Sequence, residues 1–333
     1  MIHAGAWGTT SPIRRSQQVI RLLDALDALG MADNTIMVMT ADHGELNGAH
    51  QMWGKGTCTY REQNYVPFII SHPAYMGGNT CEAVTSHVDV VPTLLQLTGM
   101  PDSQLSDLTR GLPGRSAAPL LANPQQAPAH ALRAASLFNY HMLLFVDAQW
   151  CAEELRSLIE IGKPLSERLQ QAGAFQPNLA LRGAIRSVFD GRYRFSRYFS
   201  LLDYNTPRNL DELYAHNDVE LYDLKADPDE VDNLAIDKSK HRDLLEAMNT
   251  LLNTTLAKEV SHDDGRELPM RGGKVTFVNR GHETDGGKRC NTLMKSSRHV
   301  ARPKGLRRNS LSPMFRRLRR DAPCLSILKS LRS

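Results

Sequence analysis

The chain has 333 residues, of which 41% are hydrophobic and 23% are charged, values that are typical of a globular protein with a sizeable core. No apolar run reaches the roughly 20 residues that span a bilayer, and Met1 to Arg15 contain no apolar stretch of a secretory signal. The five cysteines have no metal-ligand spacing, and their odd number argues against a disulfide framework. We therefore expect free thiols, a reducing, cytoplasmic location and no membrane span.

The net charge of +4 conceals two parts of opposite sign. Residues 266–333 hold 18 Lys and Arg against 4 Asp and Glu, a net charge of +14, whereas residues 1–265 carry −10. The basic segment lacks hydrophobic periodicity, so we expect it to be disordered. It is either an arm that binds a polyanion or non-native sequence, such as a shifted reading frame. The scarcity of interleaved aromatic residues, only Phe277 and Phe315, favours non-native sequence over nucleic-acid binding.

The first elements in chain order predict an α/β arrangement. Ser11-Pro12 begins a helix whose apolar residues recur at helical spacing until Gly30 ends it. Residues 35–40 are apolar throughout, as is typical of a strand covered on both faces, and residues 65–71 repeat that pattern. Residues 86–97 predict a further helix.

The later elements predict a small antiparallel sheet with helices packed on it. Residues 185–189 and 193–199 flank Asp190-Gly191, a strong signal for a two-residue hairpin loop. The other elements predicted in this part are strands at residues 142–147 and 220–224 and helices at residues 152–172 and 238–257.

These elements divide the chain into three predicted parts. Residues 1–130 form part of an α/β core, residues 131–268 an α+β subdomain with the hairpin and a closing helix, and residues 269–333 the basic tail. The predicted fold class is α/β, with part of a mixed sheet flanked by helices. Two core strands alone leave an open sheet edge, so we expect poor solubility unless something covers that edge.

The sequence Asp42-His43-Gly44-Glu45 directly follows the first predicted strand, at the carboxyl end where open α/β sheets bind ligands. Asp42 offers a carboxylate and His43 a neutral imidazole, so the pair can bind a divalent cation. Lys55 lies in a glycine-rich loop and supplies a compact positive charge for a sulfate or phosphate oxygen. A polar turn in which Glu45 caps a helix is the alternative interpretation.

Four segments resemble the sulfatase family of the alkaline-phosphatase-like superfamily. They are LLDALDALGMADNT (Leu22 to Thr35), DNTIMVMTADHGELNGAHQMWGKGTCTYREQNYVPFIISHP (Asp33 to Pro73), SHVDVVPTLLQLTGM (Ser86 to Met100) and VELYDLKADPDEVDNLA (Val219 to Ala235). The resemblance implies an arylsulfatase-type or choline-sulfatase-like hydrolase that acts on a small-molecule sulfate ester at a divalent metal site. Phosphonate or phosphate monoester hydrolysis in the same superfamily is the alternative that it leaves open.

The family pattern can be carried over residue by residue. By position, Asp42 and His43 match two metal ligands and Lys55 matches the lysine that contacts the sulfate. His rather than Asn at the second ligand position resembles the choline-sulfatase-like and phosphonate-monoester-hydrolase-like branches. The implied ion is Ca²⁺, with Mn²⁺ as the alternative. The family pattern gives no clear role to His50, which we interpret as a loop histidine bonded to backbone.

The sequence departs from the family at the nucleophile. Family members use a C/S-x-P-x-R motif whose Cys or Ser becomes formylglycine, together with an upstream Asp-Asp pair. No cysteine here is followed by x-Pro-x-Arg, and Asp263-Asp264 lies after the closing helix. Thr10 to Arg14 has the form T-x-P-x-R, but the helix before Asp42 follows at once, which favours a chance match.

The missing motif has a consequence for activity. Without a nucleophile and with two of four metal ligands, the charge that develops on a sulfuryl group cannot be stabilised. We therefore interpret the chain as the C-terminal portion of such a hydrolase, inactive by itself. A non-catalytic remnant whose basic tail binds nucleic acid is the alternative from a different class.

Overall fold

The computed structural model describes residues 10–141, 146–153, 177–261, 270–271 and 274–275. Most of the strand predicted at residues 142–147, most of the helix predicted at 152–172, and nearly all of the basic tail lie outside the described residues. The predictions made for those segments stay predictions.

The N-terminal part contains four helices and two strands among its described residues. They are α1 (Thr10–Ala28), β1 (Met37–Thr40), α2 (Arg61–Asn64), β2 (Phe68–Ser71), α3 (Val90–Leu97) and α4 (Asp102–Leu108). Helix α1 begins one residue before the predicted start and ends before Gly30. The φ of Gly30 is 65°, the left-handed conformation that glycine adopts without strain at a helix end.

Strands β1 and β2 pair antiparallel, with Val38 opposite Ile70. The prediction that both strands are covered on both faces is wrong, because Met39 is 45% exposed and Ile69 is 40% exposed. Burial of such apolar strands requires neighbouring strands and packed helices on both faces. Among the described residues, the sheet has only these two strands.

Large apolar side chains are therefore exposed on α1, β1, β2 and the residues around α3. They are Val19, Ile20, Leu22, Met39, Ile69, Val88, Val91 and Leu94. Their exposure fits the expected low solubility, which stays a prediction. No helix in the described part of the chain is both long and apolar enough to span a membrane.

A four-stranded antiparallel sheet follows, in the order β3-β4-β5-β6. Its strands are β3 (Ser136–Tyr140), β4 (Ala184–Phe189), β5 (Tyr193–Phe199) and β6 (Asn217–Asp223). Strand β3 lies just before the predicted strand at 142–147 and was not itself predicted. The small antiparallel sheet that the sequence predicts is confirmed.

The predicted hairpin joins β4 and β5, but its loop lies one residue later than predicted. Phe189 pairs with Arg194, and the amide of Asp190 donates to the carbonyl of Tyr193 at 3.2 Å. The loop residues are therefore Gly191 and Arg192. Gly191 has a φ of 102°, which is why glycine stands at the first loop position.

Helix α5 (Leu210–His216) precedes β6, and α6 (Arg242–Glu259) follows it. The buried residues of α6 recur at helical spacing and form one apolar stripe. Together with residues of the sheet and α5 they form the core, which includes Val188, Phe195, Leu213, Leu221, Leu245, Met248, Leu252 and Leu256. Helix α6 thus closes one face of the antiparallel sheet.

The chain divides into two compact units. The first contains the described residues up to Asp147 and those from Asn178 to Ser261. The second contains the described helical residues 148–153 and a short antiparallel pair, β7 (Met270–Arg271) with β8 (Lys274–Val275). The predicted boundaries near residues 130 and 268 stay a prediction.

Within the first unit, a buried ionic network joins the start of α3 to the end of α6. Asp89 is 0% exposed and Arg133 is 5% exposed. Arg133 donates through Nε to Asp89 Oδ2 at 2.8 Å and through Nη1 to Glu259 Oε1 at 2.6 Å. The amides of Ser86 and Arg115 also donate to the Asp89 carboxylate, at 2.9 and 2.8 Å. This carboxylate is therefore fully satisfied without water.

Replacing Arg133 by Met tests how much the fold depends on this network. Arg133→Met leaves the Asp89 carboxylate buried without its countercharge, so we expect the free energy of unfolding to fall by about 3–5 kcal/mol. Urea unfolding measures it. The matched control is Arg110→Met, which removes an exposed ion pair with Asp107 and should cost about 0–1 kcal/mol. Equal losses in the two variants would contradict the structural role of Arg133.

Glu220 on β6 gives the sheet a pH-dependent stability. Burial raises the pKa of Glu220 above 4.5, against hydrogen bonds from neighbouring tyrosine hydroxyls, including that of Tyr198 at 2.8 Å. The folded chain therefore holds this proton more tightly than the unfolded chain, and Glu220 lowers stability as the pH rises above about 4.5.

Glu220→Gln removes this titration and keeps an oxygen that accepts from Tyr198. We expect the variant to gain stability relative to the unmodified chain as the pH is raised from 4.5 to 7, measured by thermal unfolding at each pH. The exposed Glu246 on α6 provides the control, Glu246→Gln, which should leave the slope unchanged. A parallel pH profile for Glu220→Gln and the unmodified chain would be the contrary result.

Candidate metal centre at the end of strand β1

Strand β1 ends at Thr40, and Asp42 and His43 follow it directly, as the sequence predicts. Nε2 of His43 lies 3.3 Å from Oδ2 of Asp42, and the side chains are 34% and 86% exposed. Metal–ligand bonds to imidazole and carboxylate are about 2.0–2.6 Å long. One cation can therefore contact both atoms at this separation, so the pair fits a divalent ion.

Lys55 joins this pair from the glycine-rich loop. Its Nζ lies 2.7 Å from Nε2 of His43, while Nδ1 of His43 lies 2.7 Å from the carbonyl oxygen of Gly44. Since Nδ1–H donates to that carbonyl, Nε2 carries the lone pair and accepts from Lys55. The structure thus brings all three predicted site residues together.

The charges around Asp42 favour its ionised form. Desolvation raises the pKa of Asp42, but the backbone amides of Asp42 and His43, the charge of Lys55 and, when His43 is protonated, the charge of its ring together lower it by more, so the pKa lies below the ordinary value. An ionised carboxylate is the form that binds a cation.

The backbone after His43 is held against α2. The amide of Gly44 donates to the carbonyl of Gln63 at 2.7 Å, and that of Glu45 donates to the carbonyl of Glu62 at 3.1 Å. A Cβ on Gly44 would lie 1.9 Å from the carbonyl oxygen of Glu62, so only glycine fits there. No described helix begins at Glu45, so the alternative in which it caps a helix is wrong.

Gln63 positions the loop that carries Lys55, and sequence analysis missed it. Its side chain is 5% exposed; Oε1 accepts from the amide of Gly56 at 2.8 Å, and Nε2 donates to the carbonyls of Gly56 and Cys58 at 3.0 Å each. These bonds close the loop just after Lys55. A buried glutamine in a polar loop has no periodic signal that would have marked it.

His87 supports the same strand end from the other side. Its Nε2 lies 2.7 Å from the carbonyl oxygen of Ala41. A capping box formed by Ser86 and Asp89 fixes the turn on which His87 stands. The sequence Ser86-x-x-Asp89 is a capping-box pattern that could have indicated this turn.

His50 does not behave as a simple backbone-bonded histidine. Its ring stacks on Tyr60, with ring centroids 3.6 Å apart. Among the described residues, one group of three His, Cys, Asp or Glu side chains has its ligand atoms within 4.8 Å of one another. Its members are His50, Glu62 and Glu230.

The three cysteines in the described residues, Cys58, Cys81 and Cys151, are free, as expected for those three.

Comparison with known proteins relates the residues around this site to sulfatases. Residues 16–100 match the sulfatase family model. An N-acetylglucosamine-6-O-sulfatase of Bacteroides thetaiotaomicron is 33% identical over 126 residues, which are 38% of this chain and 21% of the relative. A delta 4,5-hexuronate-2-O-sulfatase of the same organism is 27% identical over 261 residues, 77% of this chain and 41% of the relative. The chain therefore spans about a fifth to two fifths of the length of these relatives.

Solved structures show the same fold. A 2-O GAG sulfatase superposes with a TM-score of 0.52 at 25% identity, over 78% of this chain and 43% of that one. A phosphonate monoester hydrolase from Silicibacter pomeroyi superposes with a TM-score of 0.51 at 22% identity, over 76% of this chain and 40% of that one. Residues 16–100 are thus similar in sequence to sulfatases, and the chain shares part of the fold of these two solved structures.

Proposed function

We propose that this chain supplies part of the active site of a sulfuric ester hydrolase. The observation that carries the proposal is the convergence of Asp42, His43 and Lys55 at the end of β1, where two metal-binding atoms lie 3.3 Å apart and an ammonium group lies beside them. The similar proteins with sulfatase names support a sulfate ester as the substrate class. Phosphonate monoesters are the second candidate, because His43 stands at the second ligand position.

Asp42 and His43 would hold a divalent cation, Ca²⁺ by preference or Mn²⁺. When bound, such an ion polarises a sulfuryl oxygen and neutralises charge that develops on it. Lys55 would contact a second oxygen of the same group as a point charge. The remaining ligands and the nucleophile would have to come from residues outside Asp42, His43 and Lys55.

Metal binding and the position of Lys55 would both depend on the same atom, Nε2 of His43. The lone pair on Nε2 of His43 accepts from Lys55, and the same lone pair would bind the ion. The two uses are mutually exclusive, so Lys55 would give up this hydrogen bond whenever Nε2 served as a metal ligand. Its ammonium group would then be available to contact an oxygen of a sulfate group.

This coupling predicts opposite effects of two substitutions on cation affinity. Asp42→Ala removes a carboxylate ligand and should weaken Ca²⁺ binding by about tenfold or more. Lys55→Ala removes a competitor for Nε2 and should keep or raise Ca²⁺ affinity, while abolishing the Ca²⁺-dependent binding of inorganic sulfate. Isothermal titration of each variant measures both. Unchanged Ca²⁺ affinity in Asp42→Ala would refute the proposed metal ligands.

We also propose that the chain by itself does not turn over sulfate esters, since no C/S-x-P-x-R motif occurs in its sequence. Purified chain should show no hydrolysis of an aryl sulfate or an aryl phosphonate above buffer. Turnover that Asp42→Ala abolishes would overturn this part of the proposal and show which of the two ester classes the site accepts.

Gln63 should act as a positioning residue for Lys55. Gln63→Ala removes three hydrogen bonds to the loop backbone, at about 1 kcal/mol each, and also the contact of the Cys58 thiol with Oε1 at 3.5 Å, so local opening should become at least about tenfold more frequent. Alkylation of the buried thiol of Cys58, followed by peptide mass mapping, reports that opening. Asn64→Ala, one residue along α2, serves as the control. Equal alkylation rates in both variants would exclude this role for Gln63.

A further inference from the structure

We propose a second divalent-cation site, formed by His50, Glu62 and Glu230 and separate from Asp42 and His43. One ligand atom from each of the three side chains lies within 4.8 Å of the others. The proposal rests on this geometry and on one buried oxygen in each carboxylate that makes no hydrogen bond. It is independent of the function proposed for the first site.

Three separate elements bring these side chains together. His50 stands in the turn Ala49–Gln51 after β1, with a left-handed φ of 50°. Glu62 lies in α2, and Glu230 lies in the turn after β6, far away in sequence. The amide of Arg61 donates to Oε2 of Glu230 at 2.5 Å and holds that turn against α2. The cluster is therefore a product of tertiary folding.

The two carboxylates are left incompletely bonded. Glu230 is 2% exposed. Oε2 of Glu62 is a buried atom without a hydrogen-bond partner, and Oε1 of Glu230 also makes no hydrogen bond, although it lies 3.2 Å from Nη1 of Arg194 in an ion pair. Unbonded buried oxygens of charged groups are costly, and native structures normally satisfy them. Both atoms belong to the side chains that converge with His50. A bound cation would satisfy both at once.

The local charges also leave room for a cation. Nη1 of Arg194 lies 3.2 Å from Oε1 of Glu230 and neutralises one of the two carboxylates. The guanidinium of Arg61 lies instead over the ring of Tyr65, at 5.7 Å. Two close carboxylates repel each other. Burial is the largest cause of the raised pKa of Glu230, Arg194 and the amide of Arg61 oppose it, and the negative charge of Glu62 adds to it. A divalent ion between the two carboxylates would attract both and so offset their mutual repulsion.

The donor set indicates the class of ion. One imidazole nitrogen and two carboxylate oxygens suit divalent ions that accept both kinds of donor, such as Mn²⁺ or Zn²⁺. Stacking on Tyr60 at 3.6 Å fixes the plane of the His50 ring and so limits the directions in which its nitrogens can point. Such an ion would tie the loop after β1 to the antiparallel sheet and stabilise the folded chain.

Titration with Mn²⁺ tests the site, with the electron paramagnetic resonance signal of free Mn²⁺ as the readout. We choose Mn²⁺ because thiolates, including those of this chain, bind it poorly. All variants carry Asp42→Ala, which disables the first site. In that background we expect one bound Mn²⁺ per chain, and His50→Ala and Glu62→Gln should each weaken its binding by about tenfold or more.

Matched controls separate ligation from general damage to the fold. His130→Ala and Glu45→Gln remove an exposed histidine and an exposed carboxylate and should leave Mn²⁺ affinity unchanged. Without metal, Glu62→Gln should unfold at the same or a higher temperature than its parent, because it removes one of two repelling charges. Mn²⁺ at a concentration near the dissociation constant of the parent should raise the unfolding temperature of the parent by more than that of Glu62→Gln.

Two results would overturn the proposal. The first is that the Asp42→Ala chain binds no Mn²⁺, which would mean that the two carboxylates are satisfied by a proton. The second is that His50→Ala and Glu62→Gln bind Mn²⁺ as tightly as their parent. Neither result bears on Asp42 and His43, which are tested separately with Ca²⁺.

Discussion

The buried charge of Arg194 on β5 determines where the site loop can lie. Its guanidinium donates to the carbonyl of Thr59 and lies 3.2 Å from Glu230, and burial lowers its pKa despite these partners. A buried cation is tolerated only where such partners surround it. Residues 44–64, between β1 and β2, must therefore dock on the antiparallel sheet, where the hydroxyls of Thr59 and Ser196 also meet at 2.8 Å.

The docked loop contributes residues to both the predicted site and the proposed second cation site. The same loop carries Lys55 towards His43 and Glu62 towards Glu230, so the predicted site and the proposed second cation site share one segment of backbone. Gly44 allows the close approach that joins the loop to α2, and Gln63 closes it after Lys55. The site is thus held by polar contacts, each of which fixes a direction as well as a distance.

The sequence anticipated the local features of the fold better than the exposure of its surfaces. Helix α1, the position of Asp42 after β1, and the β4–β5 hairpin follow from periodicity, glycine placement and turn chemistry. The burial of β1 and β2 was predicted wrongly, because an apolar run predicts burial only when neighbouring elements exist to cover it. Among the described residues, β1 and β2 pair only with each other, and Met39 and Ile69 remain exposed.

By itself, the sequence determined which residues can do chemistry: the carboxylate, imidazole and ammonium of Asp42, His43 and Lys55 are identifiable because they follow a strand with recognisable spacing. Only the tertiary structure brings Nζ of Lys55 to within 2.7 Å of Nε2 of His43 and the carboxylate of Glu230 to within 4.8 Å of a ring nitrogen of His50. Contacts between residues so distant in the chain depend on how separate elements pack, and local sequence patterns carry no record of that packing.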